Sequence, residues 1–526
     1  MGCLSLVLHA HLPYVRHPEH ENFLEEIWLY ESMLETYLPL LGKLESLEAR
    51  KIPFRMAVVL SPTLLAMWED PLLQKRFKRH ASDLTALAER EIVRLKDQPE
   101  FLVTARMYLE RIQEGLDRWE HKYRRDPALG FRALAEKGEV ELITCAATHG
   151  YLPLLGVREN AVRVQVKTAL AEHERRLGMK SRGFWLPECG YQLGVERILA
   201  DYGVKYFFVD THGLALSSPQ AAYGSFAPVL TSSGVAVLAR DTESSKEVWS
   251  SKEGYPGDPI YRDFYRDIGF DLPLENLNPQ MKPEGLRRFT GLKYFRVTGG
   301  EGEKQPYDPA RGLERARVHA RDFLLKRMQQ CMDIGRYMKR PPVMACLYDA
   351  ELFGHWWFEG PDFISFLFGE AHAQGMPLQF NTPSEILAQP YALQTVQPRP
   401  SSWGYGGYSE FWLNQANDWV YPLLVKACDR LTQAIQAHPR AGEIQKRAFN
   451  QALRELLLAQ ASDWPFMMKT GNHGAYAKSR VQTHLDRLNA ILDILEKGVL
   501  KAGELAKLER LNPLFPGLDY RLLSES

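Results

Sequence analysis

Two rhythms of apolar and polar positions run along this chain. In the first, short runs are apolar on both faces and end in a polar side chain, the pattern of strands buried in a parallel sheet. They cover residues 4–8, ending at His9; 55–60, ending at Ser61; 140–144, leading to His149; and 183–186, ending at Glu188. Three more cover 206–209, ending at Asp210; 235–239, ending at Arg240; and 343–347, ending at Tyr348 and Asp349. Helical stretches such as 160–176 and 314–338 lie between many of them. Strands alternating with helices predict a parallel α/β barrel or an open α/β sheet. The polar residues collect immediately after the strands, where a barrel carries its active-site loops, and this favours the barrel.

The second rhythm is helical. Residues 70–126 interrupt the alternation with a charged helical stretch in which Leu109, Ile112, Leu116 and Trp119 form one apolar face. This predicts a helical insertion after the second strand. The barrel would then comprise residues 1–69 and 127–390. Around 390–400 the chain becomes rich in Gln and Pro and reads as a linker. Beyond it, residues 391–526 are almost purely helical, with Val481, Leu485, Leu488, Leu492 and Leu495 forming a bundle stripe. At 526 residues the chain exceeds a single core, so this division into parts is expected.

Charge narrows the partners. Lys plus Arg and Asp plus Glu number 65 each, which leaves no basic face for nucleic acid or anionic membrane. Six scattered cysteines without a C-x-x-C pair argue against a structural zinc site and a disulfide scaffold, and fit a reducing compartment. The first strand begins at once, without a basic n-region or cleavage site, and Leu6 breaks the myristoylation pattern. A cytoplasmic protein is expected. No long heptad pattern is present, so a monomer is expected too.

The chemistry-bearing segments lie at the strand ends. In Phe184-Trp185-Leu186-Pro187-Glu188-Cys189-Gly190 a carboxylate follows a strand, with Pro187 restricting the backbone before it and Gly190 permitting a tight turn after it. In Tyr348-Asp349-Ala350-Glu351, followed by His355-Trp356-Trp357, an acid ends another strand beside an aromatic cluster. Glycosidic hydrolysis needs two carboxyls, one ionised and one protonated, and low-dielectric surroundings keep the acid protonated. His9 and His11 share one side of their strand by alternation, and His149 follows the third strand. Either Glu188 or the tryptophans, taken singly, read equally as loop and core residues. The same strand ends fit a metal-dependent amidohydrolase, with His9, His11, Glu188, His212 and Asp349 as ligand types. That alternative lacks a histidine after the sixth strand, where Arg240 stands instead. A non-catalytic glucan-binding protein using the aromatic clusters is a third possibility.

Several segments in order resemble the signature regions of glycoside hydrolase family 57, in its branching-enzyme-like subgroup. They are 9–14, 141–151, 183–188, 348–360, 403–414 and Ala461-Ser462-Asp463-Trp464-Pro465-Phe466. The resemblance covers most of the chain. It implies a (β/α)7 barrel with a helical insertion and an all-helical C-terminal domain, no cofactor and no metal, and an α-1,4-glucan substrate. It further implies Glu188 as the nucleophile of a retaining mechanism and Asp349 as acid/base. His9, His11, His149, Arg240 and Asp463 would line the donor subsite, and Trp28, Trp249, Trp356, Trp403 and Trp412 would guide the glucan. Asp463 would bring the C-terminal domain into the active site. Branching members of the family carry a longer loop with a tyrosine between the fifth and sixth strands. The corresponding connection here, taken as 226–235, is short and has no tyrosine. A short cover exposes the intermediate to water, so α-amylase-type hydrolysis stands as the alternative to α-1,6 branching.

Overall fold

The computed structural model describes residues 2–250, 253–277, 287–298, 303–498 and 501–524. Its strands, in chain order, are β1 (Gly2–Ala10), β2 (Met56–Leu60), β3 (Val140–Cys145), β4 (Gly183–Trp185), β5 (Tyr206–Val209), β6 (Val229–Leu230), β7 (Ala236–Ala239), β8 (Val343–Asp349) and β9 (Leu378–Phe380). Each expected strand is present. The hydrogen-bonded order is β6-β7-β5-β4-β3-β2-β1-β8, with β9 against the start of β1. Among the strands of the described residues only the short β6 pairs antiparallel, with β7. Arg240, just past β7, bridges in parallel to Ala345 in β8, and the Asp241 N–H donates to the Ala345 carbonyl at 2.9 Å. That contact closes β1–β5, β7 and β8 into a seven-stranded parallel barrel.

Burial on both faces explains the continuous apolar runs: every residue of β1 and of β2 is buried. Alternation divides them between two cores. Leu4, Leu6 and Leu8 face the surrounding helices, whereas Cys3 and Val7 join Ile143, Trp185 and Leu347 inside the barrel. The inward register carries on to His9, which therefore emerges at the C-terminal mouth.

Between β2 and β3 the chain forms helices Pro62–Glu69, Pro71–Arg94 and Pro99–Asp117. Beyond the barrel come Val420–Ala437, Glu443–Ala459, Asp463–Thr470, Gly474–Glu496 and Ala502–Leu511. The stripe from Val481 to Leu495 is buried along the longest of these. No helix among the described residues is long and apolar enough to cross a membrane.

Two expectations about connections are corrected. The Gln/Pro-rich segment is no free linker: Thr395, Gln397 and Ser401 bridge to Leu230, Ser218 and Tyr191, and Val396 is buried. The connection taken as the site's cover lies at the wrong end. The Phe226 carbonyl accepts from Val343 N at 2.9 Å, and the Lys205 carbonyl accepts from Ala236 N at 2.8 Å. Both contacts are at strand beginnings, so 226–235 sits opposite the mouth where Glu188 and Asp349 emerge. Its length says nothing about how the site is shielded.

Candidate active site at the C-terminal mouth of the barrel

Asp349 is the last residue of β8 and pairs in register with His9 of β1. Its carboxylate Oδ1 lies 2.9 Å from His9 Nδ1. The His9 ring stacks on Trp185 at 4.7 Å and on His149 at 4.9 Å, and His149 stacks on His11 at 3.9 Å. Burial drives His9 and His149 well below the ordinary histidine range, each reinforced by neighbouring imidazoles, so both rings are neutral.

Glu188 follows β4 in a turn that the sequence only half foretold. Glu188 and Cys189 themselves adopt left-handed backbone, with φ of 63° and 49°. Such conformations cost on the order of 1–3 kcal/mol each in non-glycine residues. The turn is held by Cys189 N to the Leu186 carbonyl, Gly190 N to the Pro187 carbonyl and Trp403 N to the Glu188 carbonyl, each at 2.9 Å. Gly190 has an ordinary φ of −72°. A glycine is needed there because a β-carbon would lie 2.6 Å from the Tyr151 ring.

The Glu188 carboxylate accepts two hydrogen bonds, from the Trp403 indole at 2.7 Å and from the Ser462 hydroxyl at 2.8 Å. Because Ser462 donates there, it accepts from His149 Nδ1 at 2.7 Å. This fixes the proton of neutral His149 on Nδ1 and leaves Nε2, buried and without a partner among the described residues, as an acceptor. Burial lifts both carboxyls to about 7; at Glu188 the two hydrogen bonds oppose it while Asp349 and Asp463 add to it. At Asp349, His11 and Arg240 oppose the rise and Asp463 reinforces it. The negative charge of Asp349 thus disfavours ionisation of Glu188 beside it. Glu351, two residues beyond Asp349, is lifted to about 8 by burial and by Asp349.

The helical C-terminal segment supplies part of this site. His149 is itself left-handed, with φ of 56°, and its carbonyl accepts from Ser462 N at 2.9 Å. Asp463 then meets His11, with Nε2 3.2 Å from both carboxylate oxygens. Arg240 is paired with Asp210 at 2.6 Å and lies over the Trp403 ring at 5.8 Å.

The structure thus gathers Glu188, Asp349, His9, His11, His149, Arg240, Trp403 and Asp463 at one mouth. Trp249 is edge-on to Trp403 at 5.8 Å and 37% exposed. Trp356 is half-buried on the loop after Asp349, and Trp28 is half-buried, edge-on to His473. Trp412 differs from expectation. It is 1% exposed and stacked on Tyr151 at 4.9 Å, so its face is closed to sugar and it packs behind the Glu188 turn. Sequence reasoning missed Ser462, Trp185, Asp210 and Glu351 as members of the site. The first sat one residue from a candidate, and only the chain reversal at His149 brings it to Glu188.

Ligand-type atoms of His11, His149 and Asp463, and of His9, Cys145 and His149, come within 4.8 Å of one another. A metal bound by two imidazoles must lie near the plane of both. These rings are stacked face to face, 16° and 26° from parallel, so their planes converge only well beyond a zinc–nitrogen bond length of about 2 Å. His212, which the amidohydrolase alternative required as a ligand, instead turns Nε2 to the Gly407 carbonyl at 2.8 Å.

A family model described as glycosyl hydrolase family 57 matches residues 5–282. The chain belongs to that family. A second model, the C-terminal part of 1,4-alpha-glucan branching enzyme, matches residues 423–523. A 1,4-alpha-glucan branching enzyme of Thermococcus kodakarensis is 31% identical, over 100% of this chain and 79% of its own. Among solved structures, a family 57 type branching enzyme from Pyrococcus horikoshii is 31% identical with a TM-score of 0.89, covering 100% of this chain and 97% of its own. The novel alpha-amylase AmyC from Thermotoga maritima is 37% identical with a TM-score of 0.94, covering 100% of this chain and 99% of its own. Membership in family 57 makes this chain a carbohydrate-active enzyme and agrees with its seven-stranded barrel and helical C-terminal part.

Proposed function

We propose that this family 57 enzyme is a retaining 1,4-α-glucan branching enzyme. Glu188 attacks the anomeric carbon of an α-1,4 link while Asp349 protonates the departing 4-oxygen. The donor chain is then held as an ester on Glu188. Asp349, now ionised, takes the proton from the 6-hydroxyl of an acceptor glucan, which displaces Glu188 and leaves an α-1,6 branch with the original configuration. Retaining glycosidases in general place their two carboxyls about 5–5.5 Å apart.

The observation that carries the reading is the unbroken chain of contacts between the two carboxyls. It runs from Asp349 to His9, through the stacked His149, to Ser462 and Glu188. It also supports the division of roles. Two neutral donors favour the ionised form of Glu188, whereas Asp349 meets a single ring nitrogen and is read as the protonated acid. His149 Nε2 is then an acceptor for a sugar hydroxyl, and Trp28, Trp249 and Trp356 guide the glucan. In this arrangement the barrel (1–69 and 127–390) supplies both carboxyls, the insertion (70–126) flanks it, and residues 391–526 complete the site through Trp403, Ser462 and Asp463. The balanced charge suits a neutral polymer and the six buried free cysteines suit a reducing cytoplasm, and the chain is read as a monomer for want of a long heptad pattern.

Hydrolysis of α-1,4-glucan by the same pair is the second reading, favoured by the likeness to the Thermotoga maritima alpha-amylase. Incubation with amylose followed by proton NMR distinguishes them. Branching gives α-1,6 anomeric signals with few new reducing ends; new reducing ends without α-1,6 linkages would replace it with hydrolysis. Glu188→Gln removes both activities if the nucleophile is correctly placed.

A further inference from the structure

His212 belongs to neither the carboxyl pair nor the row of stacked imidazoles, yet both its ring nitrogens are engaged. Nδ1 faces Asp210 Oδ1 at 3.5 Å, and Nε2 lies 2.8 Å from the Gly407 carbonyl. The Gly407 carbonyl can only accept, so Nε2 donates to it, while Nδ1 stands in ion-pair range of Asp210. Asp210 is held in place by Arg240 at 2.6 Å and by the Thr211 N–H, also at 2.6 Å.

The contact with Gly407 is close. Gly407 has φ of +82°, and a β-carbon there would lie 2.9 Å from Cε1 and Nε2 of the imidazole. Its carbonyl also accepts the Ser402 N–H at 2.8 Å, which closes the loop 402–407 on itself. The Ser402 hydroxyl in turn accepts the Ser409 N–H at 2.9 Å. Trp403 is the first side chain inside the closed loop. It reaches Glu188 twice, through its backbone N–H to the Glu188 carbonyl and its indole to the carboxylate. Arg240, the other partner of Asp210, lies over the Trp403 ring. The contacts form a circuit: Arg240, Asp210, His212, Gly407, Trp403, Glu188.

We infer that His212 is a positioning residue: by clamping Gly407 it fixes the 402–407 loop so that the Trp403 indole stays aimed at the Glu188 carboxylate. The inference rests on Glu188 being the nucleophile. His212 touches neither Glu188 nor the mouth's imidazoles directly, so its effect passes through Trp403. The ionisable groups that interact with Glu188 include Asp349, Asp463, His149, Cys145, Cys189, Tyr151 and Tyr421, and His212 is not one of these. A shift in the ionisation of Glu188 on changing His212 that disappears in the Trp403→Phe background therefore reports the aim of the indole.

The test compares His212→Asn, which cannot reach Gly407, with His212→Gln, which carries an amide N–H to the Nε2 position. Each is made alone and with Trp403→Phe, and His212→Met serves as a donor-free variant if Asn does not fold. Expected for Asn are a kcat on amylose lowered about five- to tenfold at pH 7, a KM within about twofold, and an acidic limb moved to higher pH. Gln restores most of the rate, and Asn has no further effect in the Trp403→Phe background. Full additivity of Asn with Trp403→Phe, or a change confined to KM, overturns the role of His212. A Glu188→Gln enzyme that remains active overturns the nucleophile assignment instead, so the two failures are distinguishable.

Discussion

Ser462→Ala tests the electrostatics of the site with the least disturbance of its shape. The substitution removes one hydroxyl, which donates to Glu188 at 2.8 Å and accepts from His149 at 2.7 Å. A hydrogen bond to a buried ionised group contributes about 1.5–3 kcal/mol. That stabilisation favours only the carboxylate form of Glu188, so its loss raises the pKa by roughly 1–2 units, at about 1.4 kcal/mol per unit. His149 stands 3.7 Å from the same oxygen, beyond hydrogen-bond reach, and does not replace the hydroxyl. Glu188 starts at about 7. At pH 7 its ionised fraction therefore falls about five- to fiftyfold, and kcat/KM falls with it. The acidic limb of the profile moves to higher pH, and part of the lost rate returns towards pH 8. The assay is initial rate on amylose between pH 5 and 9, followed by iodine staining for chain transfer and by reducing ends for hydrolysis. An unmoved acidic limb, with the rate lowered equally at every pH, would refute the account in which Ser462 stabilises the charge on Glu188.

Asp463→Asn shifts the profile the other way, because the negative charge of Asp463 raises both Glu188 and Asp349; both limbs move to lower pH in the same assay. Glu188→Gln stabilises the protein above neutrality. A carboxyl lifted from 4.5 to about 7 gives stability that is present below pH 4.5 and lost as pH rises through 7, about 3 kcal/mol. Thermal melts should therefore show Gln gaining at pH 8 and not at pH 4. Gly407→Ala combines a left-handed φ with a β-carbon 2.9 Å from His212. It should lower kcat at least as far as loss of the His212 clamp and cost about 1–2 kcal/mol of stability by melting.

The barrel was legible before any coordinates because a parallel strand covered on both faces has no polar positions to disguise it. The runs ending at His9, Glu188 and Asp349 stopped where the strands reach the mouth, and chemistry cannot be buried in the wall. The sequence alone therefore determined which residue types crowd one end of the fold, and the ordered segments determined the family. It did not determine how non-neighbouring segments meet. Ser462 became a partner of Glu188 only because His149 reverses the chain against 461–462, and Trp412 left the sugar-facing surface only because Tyr151 covers it. The stretch 226–235 could not be assigned to an end of the barrel by counting residues, since a connection between parallel strands visits both ends. Periodicity reports which side of its own element a residue occupies, whereas a site is made of distances between elements. Those distances, and the ionisation states that depend on them, belong to the packed structure.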